Sequence, residues 1–286
     1  MPHVLILSSF VAGSRVGGRV SQSAFEARGI DTTFVPTTLM GRHPGHGAPG
    51  GGPVPVEQFG SMLEGIAAHG VFGLFDAVLT GYFASVAQVE IAAAAIEEIR
   101  KAPRTRGDIH AFSNQVRIVV DPILGDAGSL YVKEDVAAAI RDLLVPLADI
   151  ITPNAFELAW LSGEDVSTPG GFIDAAAQTA PVTFMTSARF GDRFGTAYHA
   201  AGQAVLAAHK ELENLPNGTG DFLTAELLGE LITGTAPGDA FETAVTNTLD
   251  VALKACAWNA FELPDISART HRRHPDAKID LTPLTA

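Results

Sequence analysis

The sequence predicts a three-layer α/β protein whose central sheet is mostly parallel and covered by helices on both faces. Three observations carry this. Several short runs are continuously apolar, among them Val4-Leu5-Ile6-Leu7 and Ile118-Val119-Val120, as strands buried on both faces must be. These runs alternate with amphipathic segments of helical length, the pattern of successive βαβ units. Polar residues (Ser9, Tyr82, Asp121, Thr152 and Thr186) follow the runs where carboxyl strand ends would fall, and that edge is where ligands bind such sheets.

In chain order, residues 3–8 predict the first strand, 17–28 a helix and 32–36 a second strand. From 37 to 55 glycine and proline crowd together, which predicts an irregular segment; a lid over a site and a plain surface loop both fit it. Within it, Gly45-His46-Gly47-Ala48-Pro49-Gly50 matches G-x-G-x-x-G by letter only. No strand precedes it and no helix opens on it, so it is no dinucleotide fingerprint. His43 and His46 have no third ligand near in sequence, so loop histidines, or one histidine touching a substrate, fit better than a metal pair. Residues 56–69 predict a helix, 77–80 a strand, 84–101 a helix and 103–114 a polar connection. A strand at 117–120, a helix at 132–144, a strand at 149–151 and a helix at 154–161 follow. Residues 182–186 form the next strand, and 195–199 with 203–210 read as a hairpin. The tail over 264–286 has no clear periodicity, and His271-Arg272-Arg273-His274 within it reads as solvated.

Composition removes several function classes. The 19 basic and 32 acidic residues give a formal charge of −13, which argues against nucleic acid as a partner. The single Cys256 rules out a disulfide framework and a cysteine metal cluster within the chain; in its apolar run it reads as a buried structural thiol. No apolar stretch is long enough to span a bilayer, and the first residues lack a signal-peptide pattern, so a cytoplasmic location and no membrane partner are expected. A P-loop, a G-x-S-x-G elbow and an H-E-x-x-H helix are all missing.

Three polar turns remain as candidates for chemistry. Asn217-Gly218-Thr219-Gly220-Asp221 precedes a run in which Phe222, Leu223, Leu227, Leu228, Leu231 and Ile232 recur as one buried helix face. Asp221 therefore stands in a first helical turn with two glycines ahead of it. Glycine allows the sharp turn and leaves backbone N–H groups open, and the helix dipole adds positive potential, so the turn suits a phosphate. A carboxylate there should be held ionised and aimed at whatever those groups bind, the equipment of phosphoryl transfer. A plain helix start explains the five residues equally well. Asp121-Pro122-Ile123-Leu124-Gly125-Asp126 places two carboxylates where they could hold Mg²⁺ directly or through its waters, although a turn built from Asp, Pro and Gly explains them too. Thr152-Pro153-Asn154-Ala155-Phe156-Glu157 is a helix start in which Asn154 and Glu157 could form a capping box. Their shared position at one sheet edge favours a common site.

Taken together these blocks resemble the ribokinase-like superfamily and, within it, the pyridoxal kinase family. The resemblance also rests on Leu79-Thr80-Gly81-Tyr82, on Gly128-Ser129-Leu130-Tyr131-Val132 and on the run from Val145 to Glu157, and it extends from Val4 to about Phe261. It implies one ribokinase-like domain over 1–286 and ATP-dependent phosphorylation of the 5′-hydroxymethyl group of pyridoxal and its relatives. By the same resemblance, Asp221 is the catalytic base, and Gly218, Thr219 and Gly220 form the anion hole. Asp121, Asp126 and Glu157 form the acidic set near Mg²⁺ and the triphosphate. Tyr131, Thr152, Asn154, Thr186 and Ser187 are nucleotide-side positions; Ser9 and Tyr82 contact the pyridine ring, and His43 lies in the lid loop. Mg²⁺ with ATP, K⁺ as an open addition, and a homodimer are likewise implied. Three positions depart from the family's pattern, all on the acceptor side. Arg42-His43-Pro44 replaces Asn-His-Thr, Met40 replaces an aromatic residue, and Gly18 replaces an asparagine. The acceptor is thus less firmly fixed than the reaction. A hydroxymethylpyrimidine or sugar kinase of the same superfamily, and a pyridoxal phosphate-binding regulator without turnover, remain alternatives.

Overall fold

The computed structural model describes residues 1–257, 263 and 273–285. The chain opens with β1 (His3–Val11), α1 (Gly18–Glu26) and β2 (Asp31–Met40). After these come β3 (Gly51–Pro53), α2 (Val56–Ala68), β4 (Ala77–Thr80) and α3 (Val86–Lys101). A small hairpin, β5 (Thr105–Arg106) with β6 (Ile109–His110), precedes β7 (Arg117–Val120); a second, β8 (Gly125–Asp126) with β9 (Ser129–Leu130), follows it. Next come α4 (Glu134–Ala139), β10 (Ile150–Ile151), α5 (Ala155–Ser162), α6 (Pro169–Thr179) and β11 (Val182–Phe190). The last elements are β12 (Arg193–Ala200), β13 (Gln203–Ala208), α7 (Thr219–Ile232), α8 (Pro237–Ala257) and β14 (Asp280–Pro283).

The ten-stranded sheet has the order β14-β13-β12-β11-β10-β7-β4-β1-β2-β3. From β11 to β2 neighbouring strands run parallel, and antiparallel strands close both edges, so the expected mostly parallel sheet is present. The apolar runs alternate between two cores. Leu5, Leu7, Val78 and Val120 pack toward Phe59 of α2, Ile96 of α3, Leu158 of α5 and Phe172 of α6. Val4, Ile6, Leu79 and Val119 pack toward Phe25 of α1, Phe222 of α7 and Phe241 of α8.

That alternation positions the site. Ile6, Leu79, Val119 and Ile150 are register partners on the α7 face. Two residues on, period-two geometry puts Ser8, Gly81, Asp121 and Thr152 in a row on the same face, at the strand ends.

Several sequence expectations need correction. The segment 37–55 is not irregular throughout: β2 continues to Met40, Thr37 and Thr38 are buried, and Gly51–Pro53 returns as β3. Pairing with β1 overrides composition there, and the irregularity is confined to the turn. The register shifts between Ser8 and Ser9, opposite Pro36, whose missing N–H would interrupt a regular ladder. Ser9 and Thr186 do not end their strands, since β1 and β11 both run past the parallel sheet. In the 264–286 tail, Asp280–Pro283 adds β14 to β13, with Val205 opposite Pro283. His271 and Arg272 lie outside the described residues. Arg273 and His274 are not merely solvated: the Arg273 guanidinium donates to Asn247 Oδ1 and the His274 N–H to Asp250 Oδ1. Cys256, expected to be buried, is half-buried on α8. Among the described residues, no helix is long and apolar enough to cross a membrane.

Candidate active site

The first turn of α7 sits over the strand-end row. Gly218 is its N-cap, with φ 90° and no side-chain cap bond, so nothing from that residue covers the first N–H groups. A Cβ on Gly218 would lie 2.3 Å from the Arg15 carbonyl oxygen, which explains glycine there. Thr219 is half-buried and Gly220 exposed, so the turn opens outward.

Asp221, half-buried, accepts the Gly17 N–H at Oδ2 (2.9 Å). Gly17, with φ 59°, lies directly against Ser9: a Cβ on it would stand 2.3 Å from Ser9 Oγ. One tight turn thus joins Ser9 to the carboxylate of Asp221. Burial pushes the Asp221 carboxyl up to about 6, with the Gly17 and Asp221 amides pulling back. Burial outweighs the amides, yet a carboxyl at about 6 is still mostly ionised at neutral pH, as a proton acceptor there must be.

Asp121 is buried and accepts the Thr224 hydroxyl at Oδ2 (3.3 Å); Thr224 Oγ1 also reaches Thr152 Oγ1 (3.0 Å). Burial raises its carboxyl well above the usual range. The negative charges of Asp221 and Glu157 add to the rise, and the Thr224 hydroxyl and Ile123 amide oppose it. Glu157 is buried with both oxygens committed: Oε1 accepts the amides of Leu124 (2.8 Å) and Gly125 (3.3 Å), and Oε2 that of Asn154 (2.8 Å). Asn154 Oδ1 accepts the Glu157 N–H (2.9 Å), which completes a capping box. Burial pushes the Glu157 carboxyl up to about 7 against these amides, and Asp126 adds to the rise. Asn154 Nδ2 donates to the Gly125 carbonyl (2.8 Å), and the Thr186 N–H donates to the Pro153 carbonyl (2.9 Å), so the β7, α5 and β11 turns are tied together. Asp126 and Tyr131 stand on the exposed rim, Asp126 with its Oδ1 on the Ala127 N–H.

The three carboxylates proposed for magnesium do not form a ready-made cage. Among the described residues, no three His, Cys, Asp or Glu side chains converge to hold an ion. Glu157 spends its oxygens on the chain, and Asp126 turns outward, because each also terminates a local structure. The charges of Asp221 and Glu157 nevertheless raise the proton affinity of Asp121, which is a fit for a cation arriving with a nucleotide.

A cleft of about 430 Å³ opens beside this corner, with Thr186, Ser187, Thr219 and Gly220 along one side and Leu223 and Leu249 among its apolar walls. Ser187 has φ 54°, a turned-out backbone within β11. On the opposite flank, the Tyr82 carbonyl accepts the Thr37 hydroxyl (2.6 Å), which ties the β2–β3 hairpin to the strand end. His43 lies in that hairpin's turn, half-buried; its N–H donates to Ser14 Oγ (3.3 Å) and its Nδ1 accepts the Gly45 N–H (3.2 Å).

Sequence reasoning missed Gly17 and Thr224. Thr224 was within reach, one turn after Asp221 on the same helix face. Gly17 had no local signal, being 204 residues from the carboxylate it holds.

An open helix N-terminus whose Thr219 and Gly220 line a cleft, with a carboxylate in the same turn and an acidic strand end at the same sheet edge, marks a small-molecule kinase of the ribokinase-like class. The comparisons agree. A family model described as phosphomethylpyrimidine kinase matches residues 75–262. A pyridoxine/pyridoxal/pyridoxamine kinase of Bordetella avium is 33% identical over 84% of this chain and 81% of its own length. A pyridoxal kinase of Rubrobacter xylanophilus is 30% identical over 93% and 92%. Among solved structures, pyridoxal kinase from Leishmania donovani in complex with ADP and pyridoxine superposes with a TM-score of 0.87 at 27% identity, covering 99% of each chain. The chain belongs to the pyridoxal kinase family.

Proposed function

We infer that this protein transfers the γ-phosphoryl group of ATP to the 5′-hydroxymethyl group of pyridoxal, with pyridoxine and pyridoxamine as further acceptors. The observation that carries this is Asp221 in the first turn of α7, which has no side-chain cap and whose Thr219 and Gly220 line the cleft.

In this mechanism the acceptor hydroxyl approaches the γ-phosphorus in line while Asp221 accepts its proton. The backbone of Gly218, Thr219 and Gly220 meets the charge on the equatorial oxygens. A loose transition state asks little of the base, so positioning and charge neutralisation supply most of the rate. Asn154, Thr152, Thr186, Ser187 and Tyr131 line the nucleotide side, and Ser9, Tyr82 and His43 the acceptor side. Asp121 and Glu157, with Asp126 at the rim, would hold Mg²⁺ directly or through water; when bound, the ion would neutralise phosphate charge. Gly17 keeps the base turned toward Ser9. The family resemblance supports a homodimer, and the sequence, with no apolar span and no signal pattern, favours the cytoplasm.

A second reading has one observation in its favour: the matching family model is described as phosphomethylpyrimidine kinase. ADP release with pyridoxal, pyridoxine, hydroxymethylpyrimidine and ribose, each with and without Mg²⁺ and K⁺, separates the readings. Turnover with the first two is expected. Release only with hydroxymethylpyrimidine would overturn the acceptor, and release with none would overturn the enzyme.

A further inference from the structure

Beyond the residues given a role so far, three side chains form a row across the tip of the antiparallel strands. Arg189 and Phe194 are direct partners across β11 and β12, and the Arg189 guanidinium lies over the phenyl ring, 5.2 Å from its centroid. His209 follows β13; its N–H donates to the Phe194 carbonyl (2.9 Å), and its ring stands edge-on to the same phenyl at 5.5 Å. The row exists because β11 changes course. Its register shifts between Met185 and Ala188, Ser187 turns left-handed, and the strand continues past the parallel sheet as one arm of a hairpin. All three side chains line the cleft that also holds Thr186, Ser187 and Gly220.

Among the described residues lining this cleft Arg189 is the only Lys or Arg, in a protein of formal charge −13 and next to an acidic corner. Its guanidinium is paired with the Glu211 carboxylate, also on the cleft wall, and the two side chains are 52% and 55% exposed. An ion pair that open to water is weak, so a polyanion can compete for the cation. A guanidinium already laid flat on an aromatic ring loses little freedom on accepting a phosphate and presents a planar fork suited to it.

We propose that Arg189 is a nucleotide-contacting residue, held by Phe194 and Glu211 before the nucleotide arrives and transferred from Glu211 to its phosphate chain on binding. The proposal rests on the kinase reading above. It gives Glu211 the role of a competitor, which keeps the cation neutralised until a polyphosphate displaces it.

Calorimetric titration of ATP, ADP and adenosine into the wild-type protein, Arg189→Ala, Arg189→Lys and Glu211→Gln tests it, with turnover at saturating ATP measured in parallel. Arg189→Ala should weaken ATP and ADP by roughly 5- to 30-fold, the loss of a charge-assisted contact, and leave adenosine unchanged. Arg189→Lys should recover part of the loss, Glu211→Gln should tighten ATP, and saturated turnover should fall by less than the affinity for ATP does, as loss of a ground-state contact predicts. Unchanged ATP affinity in Arg189→Ala would overturn the proposal. So would an equal loss for adenosine, which would place the guanidinium on the base, and so would a weakened Glu211→Gln. A wild-type protein that binds none of the three would instead overturn the kinase reading.

Discussion

The two flanks of the strand-end row are built differently. On the flank proposed for the nucleotide, Asp121, Asn154, Glu157 and Thr224 are tied to backbone amides, carbonyls and one another across β7, α5 and α7, and most of them are buried. On the flank proposed for the acceptor, residues 41–50 form the turn of an edge hairpin, largely exposed, and His43 bonds to Ser14 and to Gly45 of its own turn. Under the proposed mechanism, the groups that would hold phosphate are embedded in the core, and those that would choose the acceptor ride on an edge that can differ without disturbing the sheet. Of the three departures from the family's pattern, Arg42-His43-Pro44 falls in this turn and Met40 ends the strand before it, whereas Gly18 is buried at the start of α1. At Gly18 a Cβ would stand 2.2 Å from the Phe34 ring, so the phenyl occupies the room of a larger residue.

The largest break in this contrast should come at the base between the flanks. Asp221→Ala should lower turnover on the order of 10²–10⁴-fold in an ADP-release assay. Because the ionised form is the base and burial raises its pKa to about 6, kcat/KM of the wild type should fall as pH drops through about 6. A flat profile from pH 5 to 8 would count against Asp221 as the base. Gly17→Ala should come next. The new Cβ meets Ser9 Oγ and its carbonyl at a φ of 59°, so the amide must leave the carboxylate. A fall in turnover of about 10²-fold is expected from the misplacement, with a stability loss of about 1–3 kcal/mol.

The rigid flank should then show itself in stability. Glu157→Gln puts an amide NH₂ among backbone donors and should cost about 1–3 kcal/mol in denaturant melts. The folded carboxyl lies at about 7 against an ordinary 4.5, so the folded state holds this proton more tightly. Its stabilising contribution is complete below pH 4.5 and lost as pH rises through 7. The variant's melting temperature should therefore depend less on pH over that window than the wild type's. The smallest effect belongs to the mobile-looking edge in composition, the hairpin turn. His43→Ala should raise KM for pyridoxal about 2- to 10-fold and leave KM for ATP and the melting temperature unchanged. A matching rise in KM for ATP would erase the division between the flanks.

Much of the fold was legible in the sequence, because strands buried on both faces leave uninterrupted apolar runs and helices leave a stripe. Illegible were features set by pairing between distant segments. Gly51–Pro53 becomes a strand only because β2 supplies a partner, and Asp280–Pro283 only because β13 is left with an open edge. In the candidate site, Asp121, Thr152, Asn154, Glu157 and the 218–221 turn were readable as turn chemistry at strand ends and helix starts. Whether Glu157 caps a helix or serves phosphate transfer could not be separated there, and the structure displays the cap in full. Arg189 gave no signal at all, since an exposed arginine gains meaning only from the cleft it lines.

By itself, the sequence determined the layered α/β architecture, the polar strand ends and the glycine turn ahead of Asp221, because periodicity and turn chemistry are local properties of the chain. Tertiary structure alone decided that Gly17 grips Asp221, that Thr224 joins Asp121 to Thr152, and that burial raises these carboxyls instead of the helix start lowering them. Charge, solvent access and contact across 204 residues depend on which surfaces meet, and that is settled only when the chain has packed.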